Sequence, residues 1–195
     1  SPPAQTAEDQ LLLQFQGMIA EYERAQIAER SRRGKRHRAR CGEVSVLSGA
    51  PYGYRYSKKS EGCAAFYEVL EQEAAVVRQI YGRYVEDSLS IGQIVRKLNA
   101  EGIPTRSGRA PWERTTVWDI LRNPAYMGKA CFGKTERAER RKITRPLRNR
   151  KGYPLRNSCS RERPRQEWIE IPIPPIIGED VFCQAQERLQ RNKVF

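Results

Sequence analysis

The sequence predicts a mainly α-helical protein with small β elements. A long helix, amphipathic and then basic, is followed by a helix-turn-helix-like domain of tri-helical or winged type and by a carboxy-terminal helix. Three observations carry this. Apolar residues recur at steps of three and four in several separate windows, whereas alternation at period two is confined to stretches of a few residues. The helical windows end on turn chemistry such as Gly102 with Pro104 and Asn123-Pro124. Positive charge is gathered into tracts too polar to enter a core. The chain divides on this reading into residues 1–41, the long helix; 42–133, the compact domain; 134–167, a basic flexible loop; and 168–195, a strand and the last helix.

The first helix covers about Ala7 to Arg40, with no proline. Leu12, Phe15, Ile19 and Tyr22 form an apolar stripe that fades after Ile27, and the helix then turns basic. At 1.5 Å per residue its length is about 50 Å, too long for burial in a small domain. Its apolar half calls for a protein surface and its basic half for charge neutralisation; the alternative for the basic half is a solvated helix end. Gly34 weakens the helix locally, by up to about 1 kcal/mol relative to alanine.

Residues 42–56 are rich in Gly, Ser, Pro and Tyr. Tyr52, Tyr54 and Tyr56 fit either a short strand with one aromatic face or an extended linker, and Phe66, Tyr67 and Val69 would supply the partner strand. A core helix is expected from Glu71 to about Asp87 through Ala74, Val77, Ile80, Tyr81 and Tyr84. Ser90 with Gln93 matches a capping box, which opens a second helix burying Ile91, Ile94, Val95 and Leu98. Trp112 precedes a third helix over Arg114 to Arg122, with Val117, Ile120 and Leu121 apolar. Met127 to Phe132 reads as a strand, and Gly133 to Arg165, almost without large aliphatic residues, as a mobile loop. Trp168 to Ile171 restores order before a helix from about Glu179 that carries Val181, Phe182 and Leu189.

The formal net charge of +13 is concentrated. Residues 30–40 carry +7, residues 134–166 carry +10, and the remainder carries −4. Two basic tracts on a mildly acidic body point to a polyanion, with nucleic acid as the leading partner. No apolar run approaches the roughly 20 residues that span a bilayer, so the chain is expected to be soluble and cytoplasmic with no membrane partner. Cys41, Cys63, Cys131, Cys159 and Cys183 include no C-x-x-C pair, and the lone His37 lies in a basic run. Neither a metal site nor a cofactor is expected.

Gly17 to Arg30, with Tyr22-Glu-Arg-Ala-Gln-Ile-Ala-Glu-Arg30, resembles the end of the resolvase/invertase catalytic domain, where a long helix carries F/Y-E-R-x-x-I-x-E-R. Leu98 to Gly108, Trp112 and Ile120 to Gly128 are similar to the recombinase domain of the large serine recombinases. Trp168 to Pro172, Phe182 and Leu189 are similar to the stretch leading to that family's zinc ribbon. The resemblance implies a bacterial or phage-encoded site-specific recombinase of integrase or transposase type, which cleaves DNA through a serine and acts as a homodimer or tetramer. No serine here stands in the family's arginine-flanked motif and no zinc-ribbon cysteine pair occurs, so this chain reads as a DNA-binding middle portion that is inactive alone.

Carried over position by position, Glu23 and Arg24 would be accessory residues near that active site. The expected contacts to double-stranded DNA are Arg30, Arg32, Arg33, Lys35, Arg36 and Arg40 on the long helix, neutralising phosphates. Arg114, Thr115 and Thr116, with Asp119, lie at the start of the candidate recognition helix, and Arg122 at its end. Arg106, Arg109 and Lys129 flank it, placed to grip the backbone. Glu113 stands where a small hydroxyl cap is expected and would repel phosphate. Two other readings fit the charge: a helix-turn-helix transcription regulator without chemistry, and an RNA-binding protein using the basic loop.

Overall fold

The computed structural model describes residues 6–106, 108, 111–139 and 158–192. The first helix, α1 (Ala7–Arg40), opens on a capping box. Thr6 Oγ1 accepts from the Asp9 amide at 3.2 Å, and the Asp9 carboxylate accepts from the Thr6 hydroxyl at 2.8 Å and from the Thr6 amide at 3.0 Å, which together hold the Asp9 carboxyl below its ordinary range. The helix continues through Gly34 to its basic last turn and stops at Gly42, whose φ of +79° suits glycine. Among the described residues its docking is strongest at this last turn: Ala39 is fully buried, and α1 meets the body of the protein through a 3-10 turn at Val44–Val46 and one strand described below. The apolar stripe expected to be covered is instead exposed. Leu11, Leu12, Phe15, Met18, Ile19 and Tyr22 all face solvent, within an arc of about 120° at 100° per residue.

The end of the connector resolves as a strand, with Tyr52 outside it. Antiparallel β1 (Tyr54–Ser57) and β2 (Phe66–Val69) pair Tyr54 with Val69 and Tyr56 with Tyr67. Tyr54 is fully buried, and its hydroxyl donates to Ala125 O at 3.0 Å and Pro174 O at 2.7 Å, tying the strand to two distant segments. Gly53 just before it has φ +93°, a backbone conformation that favours glycine, and a β-carbon there would lie 2.8 Å from Ile176 Cδ1 and push that side chain aside.

The core is built by α2 (Glu71–Val85), α3 (Ile91–Ala100), α4 (Arg114–Arg122) and α5 (Glu179–Arg191). α2 contributes Ala74, Val77, Ile80, Tyr81 and Tyr84; α3 contributes Ile94 and Leu98; α4 contributes Val117, Ile120 and Leu121; α5 contributes Phe182 and Ala185. The Ser90 and Gln93 capping box starts α3 as expected. The α3–α4 angle is fixed by Asn99, whose side chain accepts from the Trp112 amide at 2.7 Å and donates to Trp112 O at 3.1 Å. The buried Trp112 ring donates its indole N–H to Ile103 O at 2.9 Å. Arg188 on α5 clamps the end of α2 by donating to Tyr84 O, and to Ser88 O at 2.7 Å.

Two further antiparallel pairs complete the structure. β3 (Lys129–Phe132) pairs with β6 (Ile169–Pro172), and β6 is the strand that α1 touches. β4 (Thr135–Glu139) pairs with β5 (Ser158–Glu162). This second pair corrects the expectation of an unstructured loop over 133–165, because its described ends are a regular ribbon. The charge-rich sequence conceals it: both faces are largely exposed, so no apolar alternation marks the strands. The rest of that loop lies outside the described residues. No helix among the described residues is long and apolar enough to cross a membrane.

Candidate nucleic-acid interface

α4 is a nine-residue helix with two distinct faces. Val117, Ile120 and Leu121 lock one into the core. Thr115, Asp119 and Arg122 lie opposite, with Arg114 and Trp118 on one flank and Thr116 on the other, and all six are exposed or half-buried. Arg114 leans on α3, so that a β-carbon at Gly92 would lie 3.3 Å from its guanidinium. The helix start has no side-chain cap. Thr115 Oγ1 instead donates to the Glu113 carboxylate at 3.4 Å, which turns that acid toward the helix start. Arg122 stacks over the Trp118 ring at 4.2 Å and stands 3.8 Å from Glu162 on β5.

The basic tract of α1 is less uniform than its sequence suggests. Arg32 and Arg33 both pair with Glu29, at 3.0 and 3.1 Å, with both arginines largely exposed and Glu29 half-buried. Such surface pairs contribute at most about 1 kcal/mol and exchange readily for a phosphate. Arg30, Lys35, Arg36 and Arg40 are exposed and have no acidic partner among the described residues. Between this part of α1 and the β4–β5 ribbon lies an open groove of about 520 Å³, lined by Arg32 and Arg36 on one side and by Arg137 and Arg163 on the other. Arg163 is engaged with Glu136 at 3.3 Å and Glu167 at 3.1 Å, while Arg137 donates to Ser158 Oγ at 2.9 Å. The ribbon arginines carry no signal in the sequence beyond composition, because only strand pairing places them opposite α1.

The other candidates are placed as follows. Glu23 and Arg24 are exposed on α1 and have no ion pair among the described residues. Arg106 donates to Ala50 O, and to Tyr54 O at 2.9 Å, so its guanidinium braces the segment that leads into β1. Lys129 on β3 pairs with Glu179 at 2.7 Å, a hydrogen bond that raises its pKa. Arg109 lies outside the described residues. Among the described residues no group of His, Cys, Asp or Glu could hold a metal ion. In the core, burial pushes the Tyr54, Tyr81 and Tyr126 hydroxyls far up, Tyr67 to about 12, and the Cys131 thiol upward.

A helical core whose third helix turns a polar face outward, with a long basic helix leaving its edge, defines a mainly α-helical domain with small β elements and an appended helical arm. The Recombinase family model matches residues 71–192, and the model described as Resolvase, N terminal domain, matches residues 2–44. The chain belongs to the recombinase family, among the serine recombinases. A Bacillus subtilis (strain 168) protein that carries a provisional DNA-recombinase name is 28% identical over 194 residues, covering 97% of this chain and 36% of that protein. The chain thus spans about a third of that relative's length. Among solved structures, a chain from the crystal structure of an LSR–DNA complex superposes with a TM-score of 0.53 at 20% identity, covering 83% of this chain and 38% of that one. A chain from a structure concerned with the sequence requirements of the Listeria innocua prophage attP site gives 0.50 at 19% identity, covering 83% and 52%. At these identities the two structures show the shared fold.

Proposed function

We propose that this chain is the DNA-binding portion of a site-specific serine recombinase of integrase or transposase type, gripping duplex attachment sites for strand exchange. The observation that carries the reading is the division of α4 into a locked apolar face and an outward face bearing Arg114, Thr115, Asp119 and Arg122. A helix held this rigidly can present its first residues to base edges in the major groove. Arg114 is the residue suited to a guanine edge, and Thr115 or Thr116 to a phosphate or a thymine methyl. The unpaired cations of α1, Arg30, Lys35, Arg36 and Arg40, supply affinity that does not depend on sequence, with Arg32 and Arg33 joining by exchanging Glu29 for phosphate.

Arg106 and Lys129 take a lesser part in this scheme, since both are committed to protein partners. Glu23 and Arg24 would act near the nucleophile of the complete recombinase, which the chemistry requires from another segment. The exposed apolar face of α1 supports packing of long helices in a dimer or tetramer of the complete protein.

The test is selection of bound duplexes from a random-sequence pool at near-physiological salt, with structured RNA as competitor. Enrichment of a defined motif that changes on Arg114→Ala supports the reading. Retention of all duplexes alike, or preference for RNA, overturns it.

A further inference from the structure

The ring of Trp118 sits where the proposed reading face needs an explanation for it. The tryptophan is 42% exposed on the flank of α4, between Arg114 and Arg122. The other two tryptophans have structural duties: the indole N–H of Trp112 donates to Ile103 O at 2.9 Å, and that of Trp168 to Arg163 O at 3.0 Å. The Trp118 N–H has no partner among the described residues. The Arg122 guanidinium stacks over its ring at 4.2 Å. The ring thus remains accessible on the flank of α4 that joins Arg114 to the outward face.

We propose that Trp118 is a specificity-determining residue that reads the C5-methyl of a thymine in the major groove, braced by Arg122; this rests on α4 being the recognition helix. Among the base edges of that groove, thymine alone offers an apolar group, while the others offer hydrogen-bond donors and acceptors. A flat apolar edge on a groove-entering helix thus has one complementary partner. Arg122 has its face on the indole, and its N–H groups remain able to reach a neighbouring phosphate in place of the loose contact to Glu162 at 3.8 Å. With Val117, Ile120 and Leu121 turned into the core, Trp118 is left outside it.

The experiment takes the duplex selected by the full chain and replaces each thymine singly by deoxyuridine, which removes only the methyl. The wild-type chain is expected to lose about fourfold in affinity at one thymine, the contribution of one buried methyl. Trp118→Ala is expected to bind the thymine and deoxyuridine duplexes equally, with Trp118→Phe retaining part of the difference. Being exposed, the position tolerates both changes, which thermal unfolding verifies. A flat deoxyuridine scan, or sensitivity that survives Trp118→Ala, overturns the assignment and gives the ring to some other surface. If the scan is flat while Arg114→Ala still alters the selected motif, the recognition-helix reading stands and only Trp118 is lost. If no motif is selected at all, both fall together.

Discussion

α1 and α4 are both helices that show polar faces to solvent, yet they are held in opposite ways. α1 is 34 residues long and anchored most strongly at its last turn, where Ala39 enters the core. α4 is nine residues long, with three apolar side chains buried and its amino end set by the Asn99–Trp112 clamp. The difference teaches what each can do. Phosphate charge is spread along a duplex, so long flexible arginines and lysines on a loosely tethered helix can find it without a fixed geometry. Base edges demand placement of individual atoms, which a short helix welded to a core provides.

The comparison is broken most severely by removing what fixes α4. Leu98→Ala opens the α3–α4 packing and should cost about 2–5 kcal/mol, read by urea unfolding. Under conditions where the variant is partly unfolded, motif selection should vanish while salt-sensitive duplex binding through α1 persists. Persistence of full selectivity would mean that α4 does not set it.

Alkali attacks the same core from another side. Tyr54, Tyr67, Tyr81 and Tyr126 have hydroxyl pKa values raised by burial above the ordinary value of about 10. The folded state therefore keeps protons that the unfolded state releases. Their contribution is whole below about pH 10 and is lost as pH rises from there through the folded values. Unfolding free energy measured between about pH 9 and 11 (about one unit below and above that value) should be flat at first and then fall. The helical signal of the amino-terminal part of α1, which has no tyrosine in the core, should not follow that fall.

Smaller changes sharpen the contrast on the polar faces. Arg114→Ala should cost about 1–3 kcal/mol on the preferred duplex and little on others, as measured by competition binding. Arg36→Ala should weaken every duplex alike and lower the salt slope by about 1. Arg33→Ala should act the same way but less strongly, because Arg33 must give up its pairing with Glu29 to reach a phosphate. Equal effects of Arg114→Ala and Arg36→Ala across all sequences would erase the distinction between the helices. The smallest expected effect is that of Thr6→Ala: loss of the cap costs about 0.5–2 kcal/mol of local helix stability. It should appear as faster hydrogen exchange in the first turns of α1, with the urea midpoint of the domain unchanged.

Much of the fold was legible in residue order because its signals are local. The Ser90 and Gln93 box, the Asn123-Pro124 stop and the inward Val117, Ile120 and Leu121 place α3 and α4 with the bounds that the structure has. The alternating tyrosines, open between strand and linker, became a strand from Tyr54 on because Tyr54 finds two carbonyls across the core. The β4–β5 ribbon was not legible, since Glu136 opposite Arg161 and Arg137 opposite Ser160 form a pair of strands with polar faces. On α1, the charges could be counted but not their partners, and the apolar stripe showed a demand for burial without saying whether this chain meets it.

What the sequence by itself determined is therefore the set of helices and the location of positive charge, because capping, periodicity and composition act within a few residues of the chain. Tertiary structure alone decided which charges are free. It committed Arg106 to backbone carbonyls and Lys129 to Glu179, left Arg36 open, and turned Trp118 outward beside Arg122. A side chain's availability depends on neighbours tens of residues away, and only the packed core brings those neighbours within reach.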